Sequence, residues 1–231
     1  MREIVLDTET TGFEPAEGHR IVEIGAVELL NHLPTGRTYH QYINPQRSMP
    51  EEAYNIHKLG DAFLSDKPLF KDIAADFLNF IGDSKLVIHN ASFDIKFLNA
   101  ELSWVNLPEL SMSRAIDTVM MARRKFPGSP ASLDSLCKRF GIDNSMRTFH
   151  GALLDSEILA EVYLELIGGR QPGLVLAPTE KARPATGTPL GMPQGVRPRP
   201  LPVRLSDAER TEHDRFVAKL GEQSIWKTWA S

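Results

Sequence analysis

Five residues carry the chemistry this chain could do: Asp7, Glu9, Asp94, His150 and Asp155. Asp7 and Glu9 lie in Ile4-Val5-Leu6-Asp7-Thr8-Glu9-Thr10-Thr11-Gly12, where an apolar run meets two acids and stops at a glycine. Such a run, bounded by a turn residue, reads as a buried strand. Residues i and i+2 of a strand share a face, so the two carboxylates point the same way. At ~4 Å and an effective dielectric of about 20 they would repel by roughly 4 kcal/mol. A pair like this shares a proton, holds a cation, or stays solvated at the strand end.

Asp94 closes the stretch His89-Asn90-Ala91-Ser92-Phe93-Asp94, in the first turn of a helix that follows a short apolar strand. Asp155 lies on a last helix, and His150 precedes it by five residues on the loop or the helix start. Taken singly, Asp94 is a favourable charge at a helix N-terminus and His150 with Asp155 is a surface pair. Taken together, four carboxylates at the ends of buried elements could converge on one edge of a sheet. All-oxygen donors select hard ions, Mg²⁺ or Mn²⁺, over Zn²⁺. Two such ions about 4 Å apart clamp the attacking and leaving oxygens of an in-line phosphoryl displacement. A histidine beside them can take the proton of the attacking water.

The elements that must position these groups follow from the pattern. Arg20–Leu29 and Arg37–Asn44 read as second and third strands, with Asn31–Gly36 as the turn between them. Short turns between three strands imply an antiparallel meander. Pro50-Glu51-Glu52-Ala53 opens a short helix. Phe70, Ile73, Ala74, Phe77, Leu78 and Ile81 form the apolar stripe of a longer one. Lys85–Asn90 is a fourth strand and Arg114–Thr118 a fifth. Ser132–Phe140 and Gly151–Leu166 read as helices, the first capped by Ser132. The expected fold class is α/β: a mixed sheet, three antiparallel strands and then parallel ones, flanked by helices.

Composition sets the outer bounds. The chain has 231 residues, 42% of them hydrophobic and 24% charged, as in an ordinary globular protein. No apolar run approaches the ~20 residues of a membrane span. Met1-Arg2-Glu3-Ile4 enters a strand at once, so no secretory signal is expected. A single cysteine, Cys137, excludes an internal disulfide framework and fits a reducing compartment. The net charge of −4 divides into −7 over residues 1–170 and +3 over residues 171–231. An acidic core argues against a protein that coats nucleic acid through a broad basic surface. It is compatible with an enzyme that grips a few nucleotides through metal ions.

Asp7-Thr8-Glu9-Thr10-Thr11-Gly12, His89-Asn90-Ala91-Ser92-Phe93-Asp94, and His150 with Asp155 resemble the three exonuclease motifs of the DEDDh superfamily, in order, within residues 2–169. The His five residues before the last Asp marks the His-type branch. Phe63–Pro68, Ser132–Cys137 and Arg147–Asp155 resemble the proofreading epsilon subunits of bacterial DNA polymerase III. The resemblance implies an RNase H-like fold, two Mg²⁺ or Mn²⁺ ions, a cytoplasmic, replisome-associated protein, and 3′→5′ removal of nucleotides from a single-stranded or mispaired DNA 3′ end. It implies Asp7, Glu9, Asp94 and Asp155 as metal ligands, with Asp7 and Asp155 on the tighter ion, and His150 as general base. Glu52 and His57 match positions that touch the terminal nucleotide together with Asp7, Glu9 and Asp155, although Glu51 competes with Glu52 for the match. Thr8 and Thr10 would line the nucleotide pocket. Phe93 would stack on a base or serve the core.

The tail completes the resemblance. Eight of the 16 prolines fall in residues 171–202, where no apolar periodicity survives, so a flexible linker is expected after an exonuclease domain of residues 1–170. Residues 203–231 would bind the polymerase alpha subunit, with Phe216, Leu220, Ile225, Trp226 and Trp229 as contacts. Gln171, Leu174 and Leu176 are spaced as in a sliding-clamp-binding peptide, or are chance apolar residues of the linker. A small third core subunit is a further implied partner. Two other functions fit the same motifs: a free-standing exoribonuclease, which would not need the linker and Trp-ended tail, and a non-catalytic stabilising subunit, which would not need five intact catalytic positions.

Overall fold

The computed structural model describes residues 1–147, 149–169 and 206–220. The chain divides into two units, Met1–Leu176 and Ala177–Ser231. In the first, β1 (Arg2–Thr10), β2 (Ile21–Leu30), β3 (Leu33–Tyr42), β4 (Lys85–Ile88) and β5 (Ala115–Asp117) form one sheet in the order β3-β2-β1-β4-β5. β1 pairs antiparallel with β2, and β2 antiparallel with β3; β4 is parallel to both β1 and β5. This is the mixed sheet expected from the pattern.

The acid-bearing strand is central because both its faces are covered. Ile4 and Leu6 pack beneath α3 (Phe70–Ile81) and α4 (Ala91–Trp104), among Phe77, Ile81, Phe97 and Leu98. Val5 points to the other face, against Leu136 of α6 (Leu133–Phe140) and Leu159 and Val162 of α7 (Ala152–Ile167). All three side chains are fully buried. At ~0.8 kcal/mol per buried CH₂, these two layers hold the strand in one register.

The β2–β3 turn is shorter than the sequence suggests. Asn31 and His32, at φ of 52° and 68°, are both left-handed, as a two-residue hairpin turn requires, and β3 starts at Leu33 rather than Arg37. Pro34 is tolerated within β3 because β3 is an edge strand. Two helices also escaped the pattern: α2 (Asp61–Leu64) and α5 (Thr118–Lys125), the latter capped by Asp117, which accepts from the amides of Val119 and Met120. α1 (Glu51–His57) is the short helix expected after Pro50.

In the second unit, α8 (Asp207–Lys219) begins at the expected cap: Ser206 Oγ accepts from the Glu209 amide, and the Glu209 carboxylate accepts from the Ser206 amide. Phe216 is 60% exposed. Gln171, Leu174, Leu176, Ile225, Trp226 and Trp229 lie outside the described residues.

Candidate active site

Three elements deliver the acids to one cleft, which is walled by Asp7, Thr8, Glu9, His89, Phe93, Asp94, Asp134, Arg147, His150 and Asp155 among others. β1 brings Asp7 and Glu9 on one face. α4 brings Asp94 in its first turn, placed by the left-handed Asn90 (φ 68°) and by Asp117, whose carboxylate accepts from the Ala91 amide at 3.2 Å. Thr8 Oγ1 donates to Asp94 Oδ1 at 2.7 Å, so β1 and α4 are bonded inside the cleft. α7 brings Asp155, buried in its first turn.

The placement of α7 depends on Gly25 of β2. A Cβ at Gly25 would lie 2.2 Å from the backbone carbon of Ala152 and from the Leu153 nitrogen. The bare glycine lets the helix backbone touch the strand, and Ser156 Oγ donates to the Gly25 carbonyl at 3.0 Å. Sequence reasoning treated Gly25 only as a strand residue.

Ligand atoms of Glu9, His150 and Asp155 all lie within 4.8 Å of one another. Burial, then the neighbouring charges of Asp94, Glu9 and Asp155, hold the Asp7 carboxyl well above the usual carboxylate range. Burial, then Asp155 and Glu23, push Glu9 up to about 8. Glu23 faces Glu9 directly across the β1–β2 ladder, and His40 Nε2 lies 2.7 Å from its Oε1. Burial raises Asp94 to about 7, against the lowering effect of the Thr8 hydrogen bond. Asp155 is the exception. Burial acts to raise it, but contacts from His150 and Arg147 outweigh that and hold it below its ordinary value. Three carboxyls whose ionised forms are disfavoured by burial and by one another fit a site that holds a cation. A set of carboxylates with one imidazole fits a divalent metal ion.

Arg147 stood outside the sequence-derived site. Its Nε and Nη2 reach the two Asp155 oxygens at 2.5 and 2.7 Å, its Nη1 reaches Asp134 Oδ1 at 2.7 Å, and its Nη2 lies 2.8 Å from His150 Nδ1. The only sequence signal was its place three residues before His150, in a stretch quoted for resemblance alone.

Beside this cleft lies a second cavity, of about 230 Å³. It is lined by Thr8, Glu9, Thr10, Phe13, His19, Glu52, Ile56, His57 and Phe93, among others. Glu52, not Glu51, is on its wall. His57 is buried, and its Nδ1 accepts from the Leu59 amide. Phe93 packs partly on the core and borders both cavities. Phe13 and His19 were not foreseen. Glu14 and its neighbours carry them on a loop that Lys96 of α4 fastens, through the Phe13 carbonyl and the Glu14 carboxylate.

Comparisons with known proteins agree with this geometry. The family model described as Exonuclease matches residues 4–163. The chain is 63% identical over 174 residues to the DNA polymerase III subunit epsilon of Rickettsia felis, covering 74% of this chain and 76% of that one. It is 49% identical over 176 residues to the subunit epsilon of Escherichia coli K12, covering 73% and 72%. Among solved structures, exonuclease X in complex with 5′ overhanging duplex DNA is similar at 28% identity and a TM-score of 0.56, over 71% of this chain and 90% of that one. The nuclease domain of 3′hExo, a DEDDh family member bound to rAMP, shares the fold at 20% identity and a TM-score of 0.61, over 72% and 91%.

Proposed function

The chain belongs to the exonuclease family and, within it, to the epsilon subunits of bacterial DNA polymerase III, and we propose how its cleft carries out the 3′→5′ proofreading hydrolysis of that family. The observation that carries this reading is the convergence of Glu9, His150 and Asp155 ligand atoms in a cleft also walled by Asp7 and Asp94. Asp7, Glu9, Asp94 and Asp155 would hold two divalent ions, Mg²⁺ or Mn²⁺. Bound there, the ions supply Lewis acidity to the scissile phosphate and stabilise the attacking and leaving oxygens.

The chain's own residues do the rest. The cavity beside the cleft receives the terminal nucleotide: Glu52 and His57 lie on its wall. Thr8 and Thr10 shape the floor, and Phe93, between the two cavities, stacks on a base. His150 takes the proton of the attacking water. A mispaired end is favoured because an unpaired nucleotide enters the cavity without the cost of breaking a base pair.

Outside the cleft, we assign residues 171–202 as a linker whose Gln171, Leu174 and Leu176 engage a sliding clamp. Residues 203–231 are the anchor for the polymerase alpha subunit; the exposed Phe216 of α8 supports that assignment, with Trp226 and Trp229 as its further contacts. A small third subunit would dock on residues 1–170. The experiment that tests the substrate assignment is degradation of matched and 3′-mispaired primers, DNA beside RNA, by the full chain in Mg²⁺. Faster trimming of the mispaired DNA end is expected. A preference for RNA with no effect of the mispair would favour the exoribonuclease reading.

A further inference from the structure

A site built for divalent cations already contains a cation of its own. Arg147 meets Asp155 with the two-pronged geometry that makes guanidinium–carboxylate pairs strong, and its side chain is 9% exposed. It thereby takes both Asp155 oxygens, the same group that converges with Glu9 and His150.

The same guanidinium also occupies the histidine. Its Nη2 lies 2.8 Å from His150 Nδ1, and that imidazole nitrogen lies 3.2 Å from Asp155 Oδ2, so the arginine, the histidine and Asp155 meet at one point. Arg147 therefore covers a metal ligand and holds the histidine beside it through nitrogens of one group. Its third contact, Nη1 to Asp134, reaches a largely exposed acid at the cleft edge. That gives the side chain a place to stay tethered when it leaves Asp155.

We propose that Arg147 is a built-in counter-cation that caps Asp155, with His150 held beside it, until a divalent ion displaces it. The proposal rests on the two-ion reading of the cleft. It makes Arg147 a positioning residue, acting through Asp155 and His150 rather than on substrate. Its consequence is a competition: the affinity for the ion is reduced by the fraction of molecules in which Arg147 remains on Asp155.

The test is calorimetric titration of Mn²⁺ into the full chain and into Arg147→Gln and Arg147→Lys, with no nucleic acid present. If the uncapped state is about one-tenth populated, Arg147→Gln binds Mn²⁺ roughly tenfold more tightly, and Arg147→Lys, a single-point cation, falls between. Unchanged or weaker binding by a folded Arg147→Gln would overturn the proposal. Should that variant fail to fold, the wild type answers alone. Its Arg147 Nε–H resonance, followed by NMR during Mg²⁺ titration, is expected to move and lose protection in step with saturation. A resonance that stays in place while the backbone amides of Asp7 and Asp155 report saturation would overturn it. Absence of Mn²⁺ uptake by wild type and Arg147→Gln alike would instead contradict the two-ion reading, and the proposal with it.

Discussion

Ser156 Oγ donates to the carbonyl oxygen of Gly25 at 3.0 Å, at the point where the backbone of α7 lies against β2. Asp155 is the residue just before it on that helix, so the strand–helix distance at Gly25 sets where one proposed metal ligand stands. Gly25→Ala places a methyl group 2.2 Å from the helix backbone, which cannot yield as a flexible side chain would. The expected loss is the ~1–3 kcal/mol of core overpacking or more, with a fall in exonuclease rate. Urea denaturation checks it; an unchanged midpoint would contradict this account of α7.

Thr8→Val removes the hydroxyl that donates to Asp94 while keeping the shape of the side chain. Asp94 then loses a contact that favours its charged form. Divalent-ion affinity should drop by about 10–100-fold, the usual effect of losing a hydrogen bond to a metal ligand. Mn²⁺ titration by electron paramagnetic resonance measures it.

The raised carboxyls make a signed prediction for the metal-free protein. Glu9 at about 8 and Asp94 at about 7 keep protons, in the folded state, that an unfolded chain has already lost. Stability therefore falls as pH rises toward 8. His57 and His89, lowered by burial, act in the opposite sense, but only below about pH 6.5, where an unfolded histidine is charged. Denaturation midpoints in EDTA should thus decline between about pH 6.5 and 8. Saturating Mg²⁺ should flatten the decline, because ion binding expels those protons. A midpoint rising over that interval in EDTA would contradict the electrostatics of the cleft.

Much of this site was legible in the sequence because its acids sit where strand and helix periods change. Asp7 and Glu9 end a buried run, Asp94 opens a helix after one, and Asp155 opens the last helix, so their placement followed from local pattern. Arg147 was not legible, because its role depends on a loop that folds a guanidinium back onto an acid eight residues later. Gly25 was not legible either. A glycine inside a strand signals nothing about which backbone will approach it. The turn at Asn31-His32 was misjudged because Pro34 and Gly36 are loop signals that an edge strand tolerates. α5 was missed because its polar face dominates eight short residues whose start is fixed by a cap, not by a stripe.

His150→Gln should lower the single-turnover rate by about 10²–10⁴-fold, the range of a lost general base, while Asp7 and Asp94 still support ion uptake. Rapid-quench measurement on a mispaired primer at saturating Mg²⁺ reads it directly. A loss below about tenfold would remove His150 from the proton transfer.

The most direct test of the two-ion account is hydrolysis of a 3′-mispaired DNA primer by the wild type and by Asp7→Asn, in Mg²⁺ and in EDTA. Asp7→Asn keeps the shape of the ligand and removes its charge from the central strand. The account predicts rapid release of mononucleotides by the wild type in Mg²⁺ only, and a loss of at least about 10²–10³-fold in a variant that remains folded. Trimming by Asp7→Asn at the wild-type rate, or by the wild type in EDTA, would contradict it.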